Sequence, residues 1–190
     1  MNSPNPWDHK WSESRSETFG TLGMKEPMNA LSALFMSIYV LSDMVQTPQP
    51  INKLLKASII FNLGASFVAH ATYNRTAIKL DGLSMTIPIL LLAVYYKDYL
   101  VALGLFLFLF TSTSADFALG LLYILYISRG KLKNHTKVYG AILLILVSTL
   151  LWWIDQSSDL IESHWYVNLH SVWHIGCAYG LLILIDHIKW

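Results

Sequence analysis

The sequence predicts an all-α, polytopic membrane protein, built as a bundle of seven transmembrane helices. Hydrophobic residue types make up 54% of the 190 residues, and 13% are charged, which is about half the share of a typical soluble domain. The mean hydropathy is +0.45. Long apolar runs alternate with short polar breaks, and because backbone groups in lipid must be hydrogen-bonded within the chain, such runs predict helices. A soluble globular domain and a disordered chain are both excluded by this composition.

The chain divides into a polar N-terminal segment, 1–25, and a membrane domain, 26–190. The first segment lacks the short apolar core of a cleavable signal peptide, so we expect the first hydrophobic helix to be retained. Each later run is near the ~20 residues needed to cross the hydrocarbon core. The predicted spans are 27–46, 52–73, 80–96, 98–112, 115–129, 137–155 and 167–187. The fourth and fifth are short, so a six-helix alternative stays open, with these two fused or one of them re-entrant.

Proline, glycine and tryptophan residues predict local features within these spans. Pro88 predicts a kink in the third span. Three glycines are expected to allow close contact between helices: Gly140, Gly176 and Gly180. Trp152 and Trp153 are interpreted as aromatic residues at the membrane interface.

The basic residues predict the orientation of the bundle. With seven spans, one side receives eight of them: Lys53, Lys56, Lys97, Arg129, Lys131, Lys133, Lys137 and Lys189. The other side receives five: Lys10, Arg15, Lys25, Arg75 and Lys79. The positive-inside rule then places the C-terminus in the cytoplasm and the N-terminus outside or in a lumen.

Net charge and cysteine content limit the classes of partner and of metal site that the sequence allows. The net charge of +1 gives no basic field that would attract nucleic acid. The single cysteine, Cys177, excludes an intrachain disulfide and a thiolate zinc cluster. The expected partner is therefore the lipid bilayer itself, and no obligate protein partner is evident.

Five ionisable residues near span ends should converge on one side of the membrane. His70 lies near the end of the second span, and Asp81 opens the third. Asp155 closes the sixth span, and His170 and His174 open the seventh. By the alternation of spans, all five lie at the non-cytoplasmic end. Ionisable groups in membrane helices are costly and are by default functional candidates.

The histidines have the spacing of a metal site. His170 and His174 stand four residues apart, so both rings project from one helix face, as in zinc proteases. His70 could supply a third nitrogen, and three protein ligands with an open fourth position are typical of a catalytic zinc. Ser66 shares the face of His70, and Asp81 could reach the same centre. The alternative is that these histidines serve helix packing and interhelical hydrogen bonds.

Four segments resemble the alkaline ceramidase family. Residues 64–72 (GASFVAHAT) and 80–85 (LDGLSM) are similar to its Gly-x-Ser-x-x-x-His-x-Thr and Leu-Asp-x-x-x-Met motifs. Residues 152–155 (WWID) are similar to the close of its sixth helix, and 169–175 (LHSVWHI) to its His-x-x-Trp-His motif. The wider superfamily includes progestin and adiponectin receptors and hemolysin III-like proteins, which share the Ser, Asp and three-His set.

The resemblance implies an intramembrane hydrolase that cleaves the amide of ceramide into sphingosine and a fatty acid. Zinc would be held by His70, His170 and His174, with Ser66 and Asp81 beside it. Asp81 is then expected to move the proton from water to the leaving amine, and Ser66 to donate a hydrogen bond to the oxyanion.

Asp155 and Trp173 are expected around this site. Asp155 is a candidate to orient a ligand histidine through a hydrogen bond. An equal alternative for Asp155 is a helix-end residue in contact with water.

The resemblance also extends to a calcium site near the N-terminus. Glu13, Glu26 and Asn29 match candidate ligands of that site. However, Arg15 replaces an expected Asn, and Lys10 stands where an Asp would precede the motif. We therefore expect calcium dependence to be weak or absent.

Two other classes of function remain open from the sequence. One is a receptor or scaffold of the same architecture, in which zinc is structural. The other is a small proton-coupled transporter, whose His and Asp side chains relay protons.

Overall fold

The structure, a computed structural model, describes residues 24, 26–72, 74–108, 122, 123, 126, 134–157 and 169–187. Every regular element in these ranges is an α-helix. The helices are α1 (Pro27–Gln46), α2 (Pro50–Thr72), α3 (Arg75–Ser84), α4 (Ile87–Tyr95), α5 (Tyr99–Phe108), α6 (His135–Ser157) and α7 (Leu169–His187).

Among the described residues, five helical stretches are long and apolar enough to cross a membrane: α1, α2, α3 together with α4, α6 and α7. The prediction of an all-helical fold is thus confirmed for these residues, and the apolar helices are consistent with a multi-pass membrane protein. The predicted number of seven spans is not confirmed. The fourth span is described as a helix only to Phe108, and most of the fifth lies outside the described residues.

The third span begins earlier than predicted, and it is broken in the middle. It begins at Arg75 instead of residue 80, because the side chain of Asn74 accepts a hydrogen bond from the backbone N–H of Thr76 (2.8 Å) and caps the helix. Asp81 therefore lies inside α3 and does not open it. The predicted kink occurs as a break between α3 and α4, and Pro88 lies in the first turn of α4, where no backbone donor is needed.

The helices pack in two main pairs, α1 with α2 and α6 with α7, and α7 also packs on α1. The prediction of close contact is confirmed for Gly176 and Gly180. A Cβ on Gly176 would lie 1.9 Å from Oγ of Ser148, and one on Gly180 would lie 2.5 Å from Cγ1 of Ile145, both on α6. The prediction is wrong for Gly140, where a Cβ would meet nothing within 4 Å.

A buried lysine joins α1, α2 and α7 at one end of the bundle. The Nζ of Lys56 lies 2.5 Å from Oδ2 of Asp43 and 2.8 Å from Oδ1 of Asp186, and it donates to Oγ1 of Thr47 (2.7 Å). The side chain of Lys56 is 1% exposed, and each carboxylate is 37% exposed. Lys56, counted above among the basic residues of that side, is neutralised by these two carboxylates. The comparison of basic residues between the two sides becomes seven against five.

Removing the ammonium of Lys56 should destabilise the fold. Lys56→Met leaves two neighbouring carboxylates without their cation, and we expect a loss of about 1–3 kcal/mol, below the ~3–5 kcal/mol of a fully buried pair because both carboxylates are partly exposed. The measurement is the thermal unfolding midpoint of the purified protein in detergent, which should fall.

The matched control is Lys53→Met, an exposed lysine one turn earlier on the same helix, which should leave the midpoint unchanged. A triple variant that adds Asp43→Asn and Asp186→Asn to Lys56→Met should recover part of the loss, since no unpaired charge remains. Equal midpoints for Lys53→Met and Lys56→Met would contradict the assigned ion pair.

Candidate metal centre

Three histidines meet at the other end of the bundle, between α2 and α7. His70, His170 and His174 are 3%, 2% and 3% exposed. One ligand atom from each lies within 4.8 Å of the others, close enough to bind a single metal ion. Their ring centroids are 4.7–5.2 Å apart. From residue 56 to residue 70, α2 extends about 21 Å, so this cluster and the Lys56 ion pair are separated by roughly two-thirds of the ~30 Å hydrocarbon thickness of a bilayer.

Both ring nitrogens of His174 face serine hydroxyls. Nδ1 lies 2.9 Å from Oγ of Ser32, and Nε2 lies 3.1 Å from Oγ of Ser66. The Ser32 hydroxyl donates its only proton to the backbone carbonyl of Asn29 (2.9 Å), so it accepts from His174. The neutral ring therefore carries its proton on Nδ1 and presents the electron pair of Nε2 to the cluster.

Glu26 holds His70 through both backbone and side chain. Its backbone N–H donates to the His70 carbonyl (3.0 Å), and its Oε2 makes a short contact with Nδ1 of the ring. Asn29 donates from Nδ2 to the same carboxylate oxygen (3.3 Å). A carboxylate that accepts from Nδ1 selects the tautomer whose Nε2 can bind a metal, the usual arrangement of metal-binding histidines.

Burial raises the pKa of Glu26 to about 8, with the Asn29 hydrogen bond opposing and the nearby Asp155 carboxyl adding to the rise. A cation bound by the histidines would favour the ionised carboxylate and so lower this pKa. Asp155 itself is 3% exposed. The alternative of a helix-end residue in water is therefore wrong for Asp155, which the fold brings close to Glu26.

Ser66 lies between the histidines and Asp81. It is 2% exposed on α2, one turn before His70, and its hydroxyl contacts Nε2 of His174. The Asp81 carboxyl approaches it from α3. The structure thus places the predicted Ser, Asp and His residues in one cluster, in which Ser66 and the histidines are buried and Asp81 is partly exposed.

Aromatic rings form one wall of the cluster. The Trp173 ring centroid lies 5.4 Å from that of His170 and 5.3 Å from that of His174. Trp152 stacks on Trp173 with centroids 5.5 Å apart and an interplanar angle of 25°. Trp152 is therefore part of this wall, whereas Trp153 is 59% exposed.

Sequence reasoning assigned Glu26 and Asn29 to calcium and did not single out Ser32. All three are buried at the start of α1 beside the histidines, and Asn29 also accepts from Oγ of Ser171 (3.0 Å). The available signal was their spacing, since polar residues recur every three positions, at 26, 29 and 32, where α1 begins. Glu13, with Lys10 and Arg15, lies outside the described residues, so the expectation about calcium stays a prediction.

The donor set fits a small divalent metal. Three neutral imidazole nitrogens suit zinc and also copper, iron or nickel, and the fixed tautomers of His70 and His174 prepare two of these nitrogens as ligands. The geometry supports a metal site without selecting the metal. Comparison with protein-family models, with curated proteins and with solved structures finds no match to this chain.

Proposed function

We propose that this protein is an intramembrane, zinc-dependent amide hydrolase that cleaves ceramide into sphingosine and a free fatty acid. The observation that carries the proposal is the meeting of three buried histidines with Ser66 and Asp81 in one cluster. The choice of ceramide as substrate rests on the resemblance of residues 64–72, 80–85, 152–155 and 169–175 to alkaline ceramidase motifs.

His70, His170 and His174 would hold the zinc, and Glu26 and Ser32 would keep two of the rings in position. Zinc bound in such a site supplies Lewis-acid chemistry, polarising a carbonyl and making water a nucleophile near neutral pH.

Asp81 would move the proton of the reaction. Its carboxylate accepts a proton from the attacking water and returns that proton to the amine nitrogen as the C–N bond breaks. Ser66 lies beside Asp81 and contacts His174, so its hydroxyl is near enough to donate to the oxygen of the tetrahedral intermediate. Both side chains are held before substrate arrives, which is what electrostatic preorganisation requires.

The surroundings of the cluster suit an amphiphilic substrate. Trp152 and Trp173 give an apolar wall next to the histidines, while the polar groups converge from α1, α2 and α3. We also propose that this end of the bundle faces the outside or a lumen, with the C-terminus in the cytoplasm, since seven basic residues against five lie on the opposite side.

The test combines metal analysis with hydrolysis. The purified protein should contain about one zinc per chain and should release sphingosine from at least one member of a ceramide panel of varied acyl length. A zinc chelator should abolish the release, and added zinc should restore it. Protein that holds zinc and hydrolyses no ceramide would favour a receptor, and protein without bound metal would overturn the proposal altogether.

A further inference from the structure

An open cavity lies at the end of the bundle that holds the Lys56 ion pair. Its volume is about 400 Å³, within the range of small-ligand sites. It is lined by α1, α6 and α7, and its polar lining consists of Tyr39, Asp43, Lys137, Tyr179, Asp186 and His187. None of these residues belongs to the histidine cluster.

The cavity is lined by both acidic and basic side chains, as a zwitterionic ligand requires. Asp43 and Asp186 both line the cavity, and both contact the ammonium of Lys56. Lys137 lines the cavity from α6 and supplies a positive charge. The Nδ1 of His187 is buried and has no hydrogen-bond partner among the residues that the structure describes, so it is available to an anionic group.

Two tyrosines complete a site for an organic cation. The rings of Tyr39 and Tyr179 lie 6.2 Å apart at an interplanar angle of 50°, on the same helices that carry the two aspartates. Aromatic faces combined with carboxylates are the usual environment that recognises a quaternary ammonium group.

Exposed apolar side chains continue from the cavity toward the middle of the membrane. Phe35 precedes Tyr39 by one turn on α1 and is 65% exposed, and Leu143 follows Gly140 by one turn on α6 and is 62% exposed. Because α1 and α6 run in opposite directions, both residues lie on the membrane-centre side of the cavity. Acyl chains that start at the cavity can therefore pack along these two helices.

We propose that this cavity binds the headgroup of a zwitterionic phospholipid of the phosphatidylcholine type. The ammonium lies between Tyr39 and Tyr179 beside the aspartates, the phosphate faces Lys137 and His187, and the acyl chains follow α1 and α6. An anionic phospholipid without an ammonium group offers no cation to Asp43 and Asp186. The site is independent of the proposed hydrolase activity, since it lies at the opposite end of the bundle.

Binding of defined lipids to the delipidated protein tests this assignment. Native mass spectrometry in detergent should show one dioleoyl phosphatidylcholine per chain, bound at least tenfold more tightly than dioleoyl phosphatidylglycerol. Free phosphocholine should compete only weakly, because it lacks the acyl chains. Equal affinity for the two lipids would overturn the proposal, and phosphocholine binding as tight as that of the lipid would overturn the lipid as occupant.

Substitutions at the tyrosines separate the site from general lipid contact. Tyr179→Leu should weaken phosphatidylcholine binding by roughly three- to thirty-fold, the range expected for loss of one cation–π contact. Tyr179→Phe keeps the aromatic face and should bind nearly as the unchanged protein does. The matched control is Tyr139→Leu, on a residue of α6 that is 60% exposed and does not line the cavity. An equal loss in Tyr139→Leu and Tyr179→Leu would contradict the assigned site.

Discussion

His170→Ala should remove bound zinc and reduce ceramide hydrolysis below detection. Its ring lies between those of His70 and His174, with centroids 4.8 Å and 4.7 Å away, so its loss leaves only two imidazoles in the cluster. Two ligands from the chain do not make the three-ligand set of a catalytic zinc. The measurements are zinc per chain by metal analysis and the rate of sphingosine release.

The matched control for this variant is His135→Ala. His135 is exposed at the start of α6, and its described contact is with the ring of Tyr139. The His135→Ala variant should keep its bound zinc and its rate of ceramide hydrolysis. Full zinc occupancy with a normal rate in His170→Ala would remove this histidine from the metal centre.

Asp81→Asn should keep zinc and cut the rate of hydrolysis by roughly 10²–10⁴-fold, the effect of losing a general acid–base group. The substitution preserves shape and removes the charge that accepts a proton from water. Ser66→Ala should lower the rate of hydrolysis by roughly 10²–10³-fold, the effect of losing one oxyanion donor, again with zinc retained. Both rates are to be measured at saturating ceramide, together with zinc content.

Asp98→Asn is the control for a carboxylate in a helix connection away from the cluster. Asp98 lies between α4 and α5, where it accepts a hydrogen bond from the hydroxyl of Tyr123 (2.6 Å). Its rate of hydrolysis should not change. If Asp81→Asn loses zinc, Asp81 is itself a metal ligand and the proton-transfer role is wrong. If neither zinc nor rate changes, the assigned role of Asp81 fails as well.

The helices were predictable where apolar runs have clear ends. The predicted bounds 27–46 coincide with those of α1, because Pro27 begins that helix and polar residues follow Gln46. The third span was predicted to start five residues late, because residues 75–79 are partly polar and hydropathy does not register the capping by Asn74. The ion pair of Lys56 was not predictable, because the sequence does not show that Asp43 and Asp186 meet it.

The candidate site was predictable in part, through the alternation of spans. Alternation places His70, Asp81 and His170 at the same end whatever the details of packing. It does not reveal which polar residues of α1 contact them. Glu26 and Ser32 lie on a helix whose rotation about its own axis is set by tertiary packing, and the sequence before α1 offers no fixed reference for that rotation.

The position of α7 bears on how the chain is assembled during synthesis. Both clusters need it, because Asp186 completes the pair with Lys56 and His170 completes the set with His70. These contacts join residues 130 and 100 positions apart, so α2 enters the membrane with Asp43 and Glu26 already translated but without the partners that α7 supplies. Until the final helix inserts, both polar sets are incomplete, because Asp186, His170 and His174 are still missing. A chain truncated before residue 169 would thus keep the contacts of Lys56 with Asp43 and of His70 with Glu26, and would lose the rest of both clusters.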